Sequence, residues 1–229
     1  MPIAGWIGTT LVDYPARVAA VVFFSGCNLR CPFFHNASLV LPNKDTPQLL
    51  VEEVLTQLRR RVGFISGVVF TGGEPLMDPL LGSMVEETKK LGLAVKIDTN
   101  GTWPEKLHDV LDFVDYVALD LKAAPSKYEK ATGGKSCFEP VRQTLQLLAA
   151  SKTHYEVRTT VVPGLVCEQD FDEIVPFVRG VPVYALQEFR PIATLDPTWL
   201  TQPPTSLQTM QAIRDRLASV VGRVEIRAH

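Results

Sequence analysis

The sequence predicts an α/β protein, a partial (β/α)6 barrel that forms a single domain over residues 1–229. Short apolar runs recur along the chain, helical patterns separate them, and no linker or low-complexity segment interrupts the alternation. The first run, residues 18–24, is continuously apolar, which is typical of a strand buried on both faces of a parallel sheet. Six such units fall short of the eight that close a full barrel, and a doubly wound parallel sheet is the alternative.

The elements are assigned in chain order from these patterns. The six predicted parallel strands are 18–24, 67–71, 94–98, 116–121, 155–162 and 183–187, and 223–227 is a candidate terminal strand. The first helix is predicted to begin with Thr46 as its N-cap and Pro47 at its first position. Further helices are predicted at 78–92, 141–150, 171–178 and 206–217.

Composition limits the classes of partner and compartment. The chain has 23 basic and 25 acidic residues, and 46% of its residues are hydrophobic. This balance gives no basic surface for nucleic acid or anionic membrane, so protein or small-molecule partners are expected. Four cysteines are too few for a disulfide scaffold, and neither a signal-peptide pattern nor an apolar run of membrane-spanning length is present. A cytoplasmic location is expected.

A loop rich in glycine and cysteine, residues 24–36, follows the first predicted strand. Cys27 and Cys31 are soft ligands, and Pro32 disfavours helical geometry at Cys31. This spacing lets two thiolates face one metal centre, although a pair of buried structural cysteines is the alternative.

Polar residues follow the predicted strands where ligands bind in parallel α/β folds, beyond the carboxyl ends. They are Gly72, Gly73 and Glu74 after the second strand, Asp98, Thr99 and Asn100 after the third, and Asp120 and Lys122 after the fourth. The glycines permit close backbone approach, and the Glu74 carboxylate suits an ammonium group. The alternatives are a simple strand-to-helix turn at Glu74, and a buried ion pair with a turn through Asn100 and Gly101.

The cysteine loop resembles the C-x-x-x-C-x-aromatic-C loop of radical S-adenosylmethionine (radical SAM) enzymes. With Asp13-Tyr14-Pro15 and His35-Asn36, it resembles in particular the activating enzymes of glycyl-radical proteins. The chain departs from the family at one position, because the third cysteine of the motif would fall at Phe34. The resemblance implies the radical SAM type of partial barrel.

The resemblance also implies cofactors and the residues that hold them. Three thiolates would hold a [4Fe-4S] cluster, leaving one iron open for SAM, and this chain supplies two of them, Cys27 and Cys31. The implied SAM-site residues are Phe33 beside the adenine, Gly72, Gly73 and Glu74 at the amino group, Asp98, Thr99 and Asp120 around a monovalent cation, Asn100 in the same Asp-Thr-Asn motif, and Lys122 at the carboxylate.

The implied reaction is reductive cleavage of SAM and hydrogen abstraction from a glycine of an anaerobic ribonucleotide reductase-like partner. Flavodoxin or ferredoxin is the implied electron donor, and no catalytic residue is implied beyond the cluster and SAM. Because position 34 is Phe where the family motif has its third cysteine, impaired activity is predicted. Cys137 and Cys167 are either substitute ligands or inert packing residues. The alternative functions are a radical SAM enzyme acting on a small molecule, such as a deazapurine synthase, and a degenerate SAM- or partner-binding relative.

Overall fold

The computed structural model describes residues 3–228, which form eight strands and eight α-helices with short 3-10 turns between them. The strands are β1 Ile3–Thr10, β2 Ala19–Phe24, β3 Gly67–Gly72, β4 Ala94–Thr99, β5 Tyr116–Asp120, β6 His154–Val161, β7 Val183–Glu188 and β8 Arg223–Arg227. The helices are α1 Ala37–Val40, α2 Val51–Arg59, α3 Leu81–Lys90, α4 Pro104–Val110, α5 Tyr128–Ala131, α6 Phe138–Ala150, α7 Phe171–Val178 and α8 Leu207–Leu217. None of the helices in this range is long and apolar enough to cross a membrane.

The chain divides into two compact units, and the expectation of a single domain stays a prediction. The first unit comprises residues 1–28, 38–99 and 103–118, and the second comprises 29–37, 100–102 and 119–229. Consequently Cys27 belongs to the first unit and Cys31 to the second.

In the first unit, strands β2, β3 and β4 pair in parallel, and β1 pairs with β2 in the antiparallel direction. Tyr14, from the loop between β1 and β2, packs on the buried side chains of Ala19, Val21, Val69 and Ala94. Its hydroxyl donates to the backbone carbonyl of Val95 at 3.4 Å. The Asp-Tyr-Pro segment therefore contributes a core residue to this unit.

In the second unit, strands β6, β7 and β8 pair in parallel. Tyr184 of β7 is fully buried, its ring meets the edge of Phe171, and its hydroxyl shares a hydrogen bond with Thr159 at 2.7 Å. Tyr128, Phe138 and Phe177 form a chain of edge-on ring contacts at 5.3 and 5.0 Å. These aromatic contacts join α5, α6 and α7 over the strands.

The six parallel strands predicted from the apolar runs are all present, as is the terminal strand β8. The predicted first helix was placed too early, because it begins at Val51 with Leu50 as its N-cap. Thr46 instead closes a turn, accepting from the Asn43 amide at 2.9 Å, and the Leu49 amide donates to the Ile3 carbonyl at 2.9 Å. Backbone pairing with β1 thus outweighs the local capping signal.

Strands β2 and β3 continue their contact into the loops that follow them, and this contact explains the two adjacent glycines. The Gly73 amide donates to the Phe24 carbonyl at 2.8 Å, and the Glu74 amide donates to the Gly26 carbonyl at 2.9 Å. Gly72 has a φ of 119°, and a Cβ atom there would overlap the Phe24 backbone. A Cβ atom on Gly73 would overlap the Gly26 carbonyl.

We predict that Gly73→Ala destabilises the protein by roughly 3 kcal/mol or more, at the upper end of the range for overpacking, because the obstructing group is backbone. Thermal and urea unfolding measure the loss. Gly82→Ala is the matched control, since Gly82 lies in α3 with only Val110 Cγ1 nearby at 3.8 Å. This control should be neutral or stabilising by up to about 1 kcal/mol. Equal stability of the two variants would contradict the close approach.

Candidate active site

The first half of the cysteine loop lies in the first unit and leaves β2 through Ser25, which is fully buried. Gly26 has a φ of 90°, a conformation that favours glycine, and its amide donates to the Leu39 carbonyl at 2.6 Å. Cys27 follows as a half-buried cysteine that forms no disulfide, with Asn28 Oδ1 at 3.9 Å from its sulfur. The turn therefore brings a potential ligand to the end of β2.

Glu74 is fully buried at the end of β3. Its Oε1 accepts from the Leu76 amide at 3.1 Å and from the Thr99 hydroxyl at 2.8 Å. The first bond caps the 3-10 turn Pro75–Met77, and the second ties the ends of β3 and β4 together. Two of the predicted site residues, Glu74 and Thr99, are thus in direct contact.

Asp98 pairs with the buried ammonium group of Lys96 on strand β4. Lys96 Nζ lies 2.5 Å from Asp98 Oδ1, and the two side chains are 3% and 14% exposed. Residues two apart point to the same face of a strand, so the pair follows from the strand geometry. The charge of the Asp98 carboxylate is therefore balanced within its own strand.

The second half of the loop lies in the second unit and is fastened by backbone hydrogen bonds. The Arg30 amide donates to the Thr132 carbonyl at 3.0 Å, and the Asp196 amide donates to the Pro32 carbonyl at 2.9 Å. Cys31 lies between these bonds and is only 5% exposed. The loop around Cys31 is consequently held from two directions.

Aromatic side chains strengthen this attachment. Phe33 is buried and meets the ring of Trp199 edge-on, with 6.3 Å between centroids. His35 stacks on Phe189, and its Nε2 hydrogen-bonds the Arg190 carbonyl at 2.7 Å. His35 therefore has a structural role here, and Phe33 makes ordinary packing contacts within its unit.

Phe34 occupies the position of the third cysteine of the motif. It is half-buried, and its amide donates to the Cys31 carbonyl at 3.1 Å, closing a turn. Its side chain offers no lone pair to iron. Across residues 3–228, no group of three or more His, Cys, Asp or Glu side chains is arranged to hold a metal ion. Cys27 and Cys31 alone do not fit a cluster that needs three protein thiolates.

Asp120, at the end of β5, lies between two cationic side chains of the second unit. Arg158 Nε is 2.8 Å from Oδ1, and Lys122 Nζ is 2.9 Å from Oδ2. Burial would raise the pKa of Asp120, but Arg158 and Lys122 outweigh it and lower the pKa to about 2. Asp120 is therefore ionised at neutral pH.

Lys122 keeps its charge in a buried setting. Burial acts to lower the pKa of Lys122, but Asp120 and then Cys31 outweigh burial, so that the pKa is raised. Cys31 is therefore one of the groups that raise the pKa of Lys122. Within the second unit, the predicted ligand Cys31 and the predicted SAM contact Lys122 thus share one environment.

Asn100 shapes the turn that follows β4. Its Oδ1 accepts from the amide and the hydroxyl of Thr102, at 3.0 and 2.6 Å. Gly101 has a φ of 75°, and its carbonyl accepts from the Thr144 hydroxyl at 2.7 Å. The turn through Asn100 and Gly101, one of the expected alternatives, is therefore present.

The other two cysteines are engaged locally as free thiols. Burial raises the pKa of Cys137, which lies at the start of α6. The Cys167 thiol donates to Asp170 Oδ2 at 3.1 Å, and Asp170 also pairs with Lys127 at 2.7 Å. These contacts favour the packing interpretation of both residues over substitute ligation.

Four residues of these environments escaped the sequence analysis: Lys96, Thr132, Arg158 and Trp199. Lys96 and Arg158 interrupt apolar strand segments, and a charge inside such a segment is a detectable signal of a buried ion pair. Thr132 and Trp199 carry no such signal, because they reach the cysteine loop only through tertiary contacts.

We predict that the stabilising effect of Asp120 depends on pH. Its pKa of about 2 lies below the ordinary 3.8, so its contribution is present above about pH 4 and is lost as the pH falls toward 2. Asp120→Asn should lose on the order of 2 kcal/mol at neutral pH. Urea unfolding at several pH values should show this difference shrinking in acid.

The matched control is Asp172→Asn, which removes an exposed carboxylate 2.7 Å from Arg216. An exposed pair contributes about 0–1 kcal/mol, so this variant should differ little from the parent. A deficit of Asp120→Asn that stays constant from neutral to acidic pH would contradict the assignment of the low pKa.

A family model described as the radical SAM superfamily matches residues 21–178. A Methanocaldococcus jannaschii protein, provisionally named a glycyl-radical enzyme activating enzyme, is 29% identical over 98% of this chain and 95% of its own length. The pyruvate formate-lyase-activating enzyme of Clostridium pasteurianum is 29% identical over 81% of this chain and 79% of its own length. A 7-carboxy-7-deazaguanine synthase of Hyperthermus butylicus is 33% identical over 62% of this chain and 61% of its own length.

Solved structures show the same fold at low sequence identity. Streptococcus suis SuiB bound to its precursor peptide SuiA gives a TM-score of 0.68 at 13% identity, covering 91% of this chain and 48% of that chain. A domain of a Bacteroides vulgatus pyruvate-formate lyase-activating enzyme gives 0.54 at 17% identity, covering 71% and 99%. The predicted fold class, an α/β partial barrel of this type, is confirmed. With its family match spanning more than half of the sequence, the chain belongs to the radical SAM superfamily.

Proposed function

We propose that this chain is a glycyl-radical activating protein of the radical SAM superfamily, impaired as written at its cluster. The observation that carries the proposal is the likeness to the Methanocaldococcus jannaschii relative, which runs along 98% of this chain and 95% of that protein. The second activating relative, from Clostridium pasteurianum, supports the same branch. The proposed reaction is reductive cleavage of SAM, followed by hydrogen abstraction from a glycine of a partner protein.

Family membership implies two cofactors, a [4Fe-4S] cluster and SAM. The chain has all the residues proposed for SAM but not all the ligands of the cluster. A [4Fe-4S] cluster, held in part by Cys27 and Cys31, would supply the electron for SAM cleavage, but Phe34 leaves this chain with two of the three expected thiolates. The residues proposed for SAM are intact: Phe33, Gly72, Gly73, Glu74, Asp98, Thr99, Asn100, Asp120 and Lys122. We therefore propose that SAM binding persists where cluster binding is weakened.

Within the second unit, Lys122 is the best-supported SAM contact. Its side chain is 12% exposed, and its charged ammonium group is oriented by Asp120, which also pairs with Arg158. A fixed cation suits the carboxylate of an amino acid such as methionine. The proposed role of Lys122 is to bind and orient this carboxylate.

The proposed partner is a glycyl-radical protein of the anaerobic ribonucleotide reductase type, with flavodoxin or ferredoxin as electron donor. Near-neutral charge, 23 basic against 25 acidic residues, supports a protein partner over nucleic acid or membrane. A cytoplasmic location is part of this proposal.

Two other functions remain in competition. Likeness to the Hyperthermus butylicus 7-carboxy-7-deazaguanine synthase, at 33% identity over 62% of this chain, favours a small-molecule radical SAM enzyme. Phe34 favours a degenerate SAM- or partner-binding relative. Coverage ranks the activating function first, because the Methanocaldococcus jannaschii relative matches 98% of the chain, against 62% and 75% for two 7-carboxy-7-deazaguanine synthases.

We predict that the chain as written binds SAM, more weakly than a cluster-loaded protein by roughly 10- to 100-fold, since the iron chelate is impaired. Calorimetry with the folded protein measures this binding. Lys122→Met should weaken it by a further tenfold or so, about 1.4 kcal/mol, through loss of the carboxylate contact. Lys127→Met, which removes another lysine of the same unit that pairs with Asp170, is the control and should leave the affinity unchanged. Absence of binding at about 1 mM SAM would reject the proposed SAM site.

We predict that Phe34→Cys restores a full cluster and SAM cleavage. The substitution returns a thiolate at the third position of the motif and removes a side chain that cannot ligate iron. Iron and sulfide analysis after anaerobic reconstitution, with 5′-deoxyadenosine release under dithionite, measures both effects. Cys27→Ala on the Phe34→Cys background is the control and should again lose the cluster. If the parent chain carries four irons and cleaves SAM as fast as Phe34→Cys, another residue must be the third ligand.

A further inference from the structure

Both carboxylates that the family resemblance assigns to a monovalent cation already pair with cationic side chains of the chain itself. Asp98 pairs with Lys96 in the first unit, and Asp120 pairs with Lys122 and Arg158 in the second. Each pairing holds within its own unit. A fit between these residues and a monovalent metal ion can therefore be judged at each carboxylate separately.

The ion pair at Asp98 disfavours a bound metal ion more strongly than the pairing at Asp120 does. Lys96 is 2% exposed overall, and its ammonium group lies 2.5 Å from Asp98 Oδ1. A buried ammonium group is costly without an opposite charge, so separation of the pair is strongly disfavoured. A metal ion placed on Asp98 would lie beside this ammonium group and would be repelled by it. The residues present do not fit a bound monovalent cation at Asp98.

The pairing at Asp120 leads to the same result. Arg158 Nε and Lys122 Nζ contact different oxygens of the carboxylate, at 2.8 and 2.9 Å. The three side chains carry a net positive charge, and none is more than 24% exposed. A third cation at this carboxylate would add to an excess of positive charge in a poorly solvated position.

We propose that Lys96 replaces the monovalent metal ion in this protein, so that neither folding nor SAM binding depends on which monovalent cation is in solution. Lys96 acts as a positioning residue: it holds the carboxylate of Asp98 at the end of β4, beside Thr99 and its bond to Glu74. The SAM part rests on the proposed function, whereas the folding part does not.

Thermal unfolding without SAM tests the folding part. The parent protein should melt within about 1 °C in potassium, sodium and choline chloride at an ionic strength of about 0.1 M. Lys96→Met should melt at least about 5 °C lower in choline chloride, because the buried ion pair between Lys96 and Asp98 is lost, and should partly recover as potassium or sodium is added. Lys89→Met is the control. Lys89 pairs with Asp115 and is more exposed than Lys96, so its removal should produce no response to the cation.

The double variant Lys96→Met/Asp98→Asn keeps the proposal testable if Lys96→Met does not fold in any of the three salts. It should be more stable than Lys96→Met in choline chloride and insensitive to the cation, because no charge is left unpaired. A double variant no more stable than Lys96→Met would overturn the proposal, as would a folded Lys96→Met without any cation response. A saturable rise in the melting temperature of the parent with one cation would also overturn it.

Calorimetry with SAM tests the second part in the same three salts. The affinity of the parent protein should change by less than about twofold between them. A tightening of about tenfold or more by sodium or potassium relative to choline would overturn the proposal. Absence of SAM binding in all salts would defeat the proposed SAM site, while the thermal experiment would still decide whether Lys96 replaces the metal ion.

Discussion

The backbone contact between the ends of β2 and β3 is the constraint on which the candidate site of the first unit depends. Hydrogen bonds from Gly73 and Glu74 fix the Phe24 and Gly26 carbonyls, so the cysteine loop leaves its strand in one direction. The same contact explains why two glycines precede Glu74: side chains there would collide with backbone. Close approach of chain to chain, rather than of chain to ligand, already accounts for both glycines within this unit.

The carboxylates of the two environments all have local partners. Asp98 has Lys96, Asp120 has Lys122 and Arg158, and Glu74 has a hydroxyl and an amide as donors. Groups that are paired in advance need little reorganisation when a charged ligand arrives, which is the condition for electrostatic preorganisation. Such pairing also makes each environment sensitive to removal of one partner, because the remaining charge is left buried.

The sequence was sufficient for the strands β2 to β7, since short, mainly apolar runs alternating with helical patterns carry a strong signal. It was insufficient for β1, whose segment contains two glycines and whose pairing is antiparallel. It also misplaced the start of α2, where Thr46 and Pro47 offered a cap that tertiary pairing overrode. Among the candidate site residues, motif order pointed to Glu74, Thr99, Asp120 and Lys122. The pairing of Lys96 with Asp98 and of Arg158 with Asp120 became apparent only from the interatomic distances. Whether these residues hold SAM stays a proposal.

The fastening of the cysteine loop has a consequence for the order of folding. His35 bonds to a carbonyl 155 residues later in the chain, and Pro32 and Phe33 contact residues that are even more distant in sequence. During synthesis these partners emerge only after β7, so the loop around Cys31 takes its final shape late. Contacts of such high sequence separation are slow to form. Until they form, the segment after Cys31 lacks the contacts of Pro32, Phe33 and His35, so metal insertion before that point would meet an incompletely ordered loop.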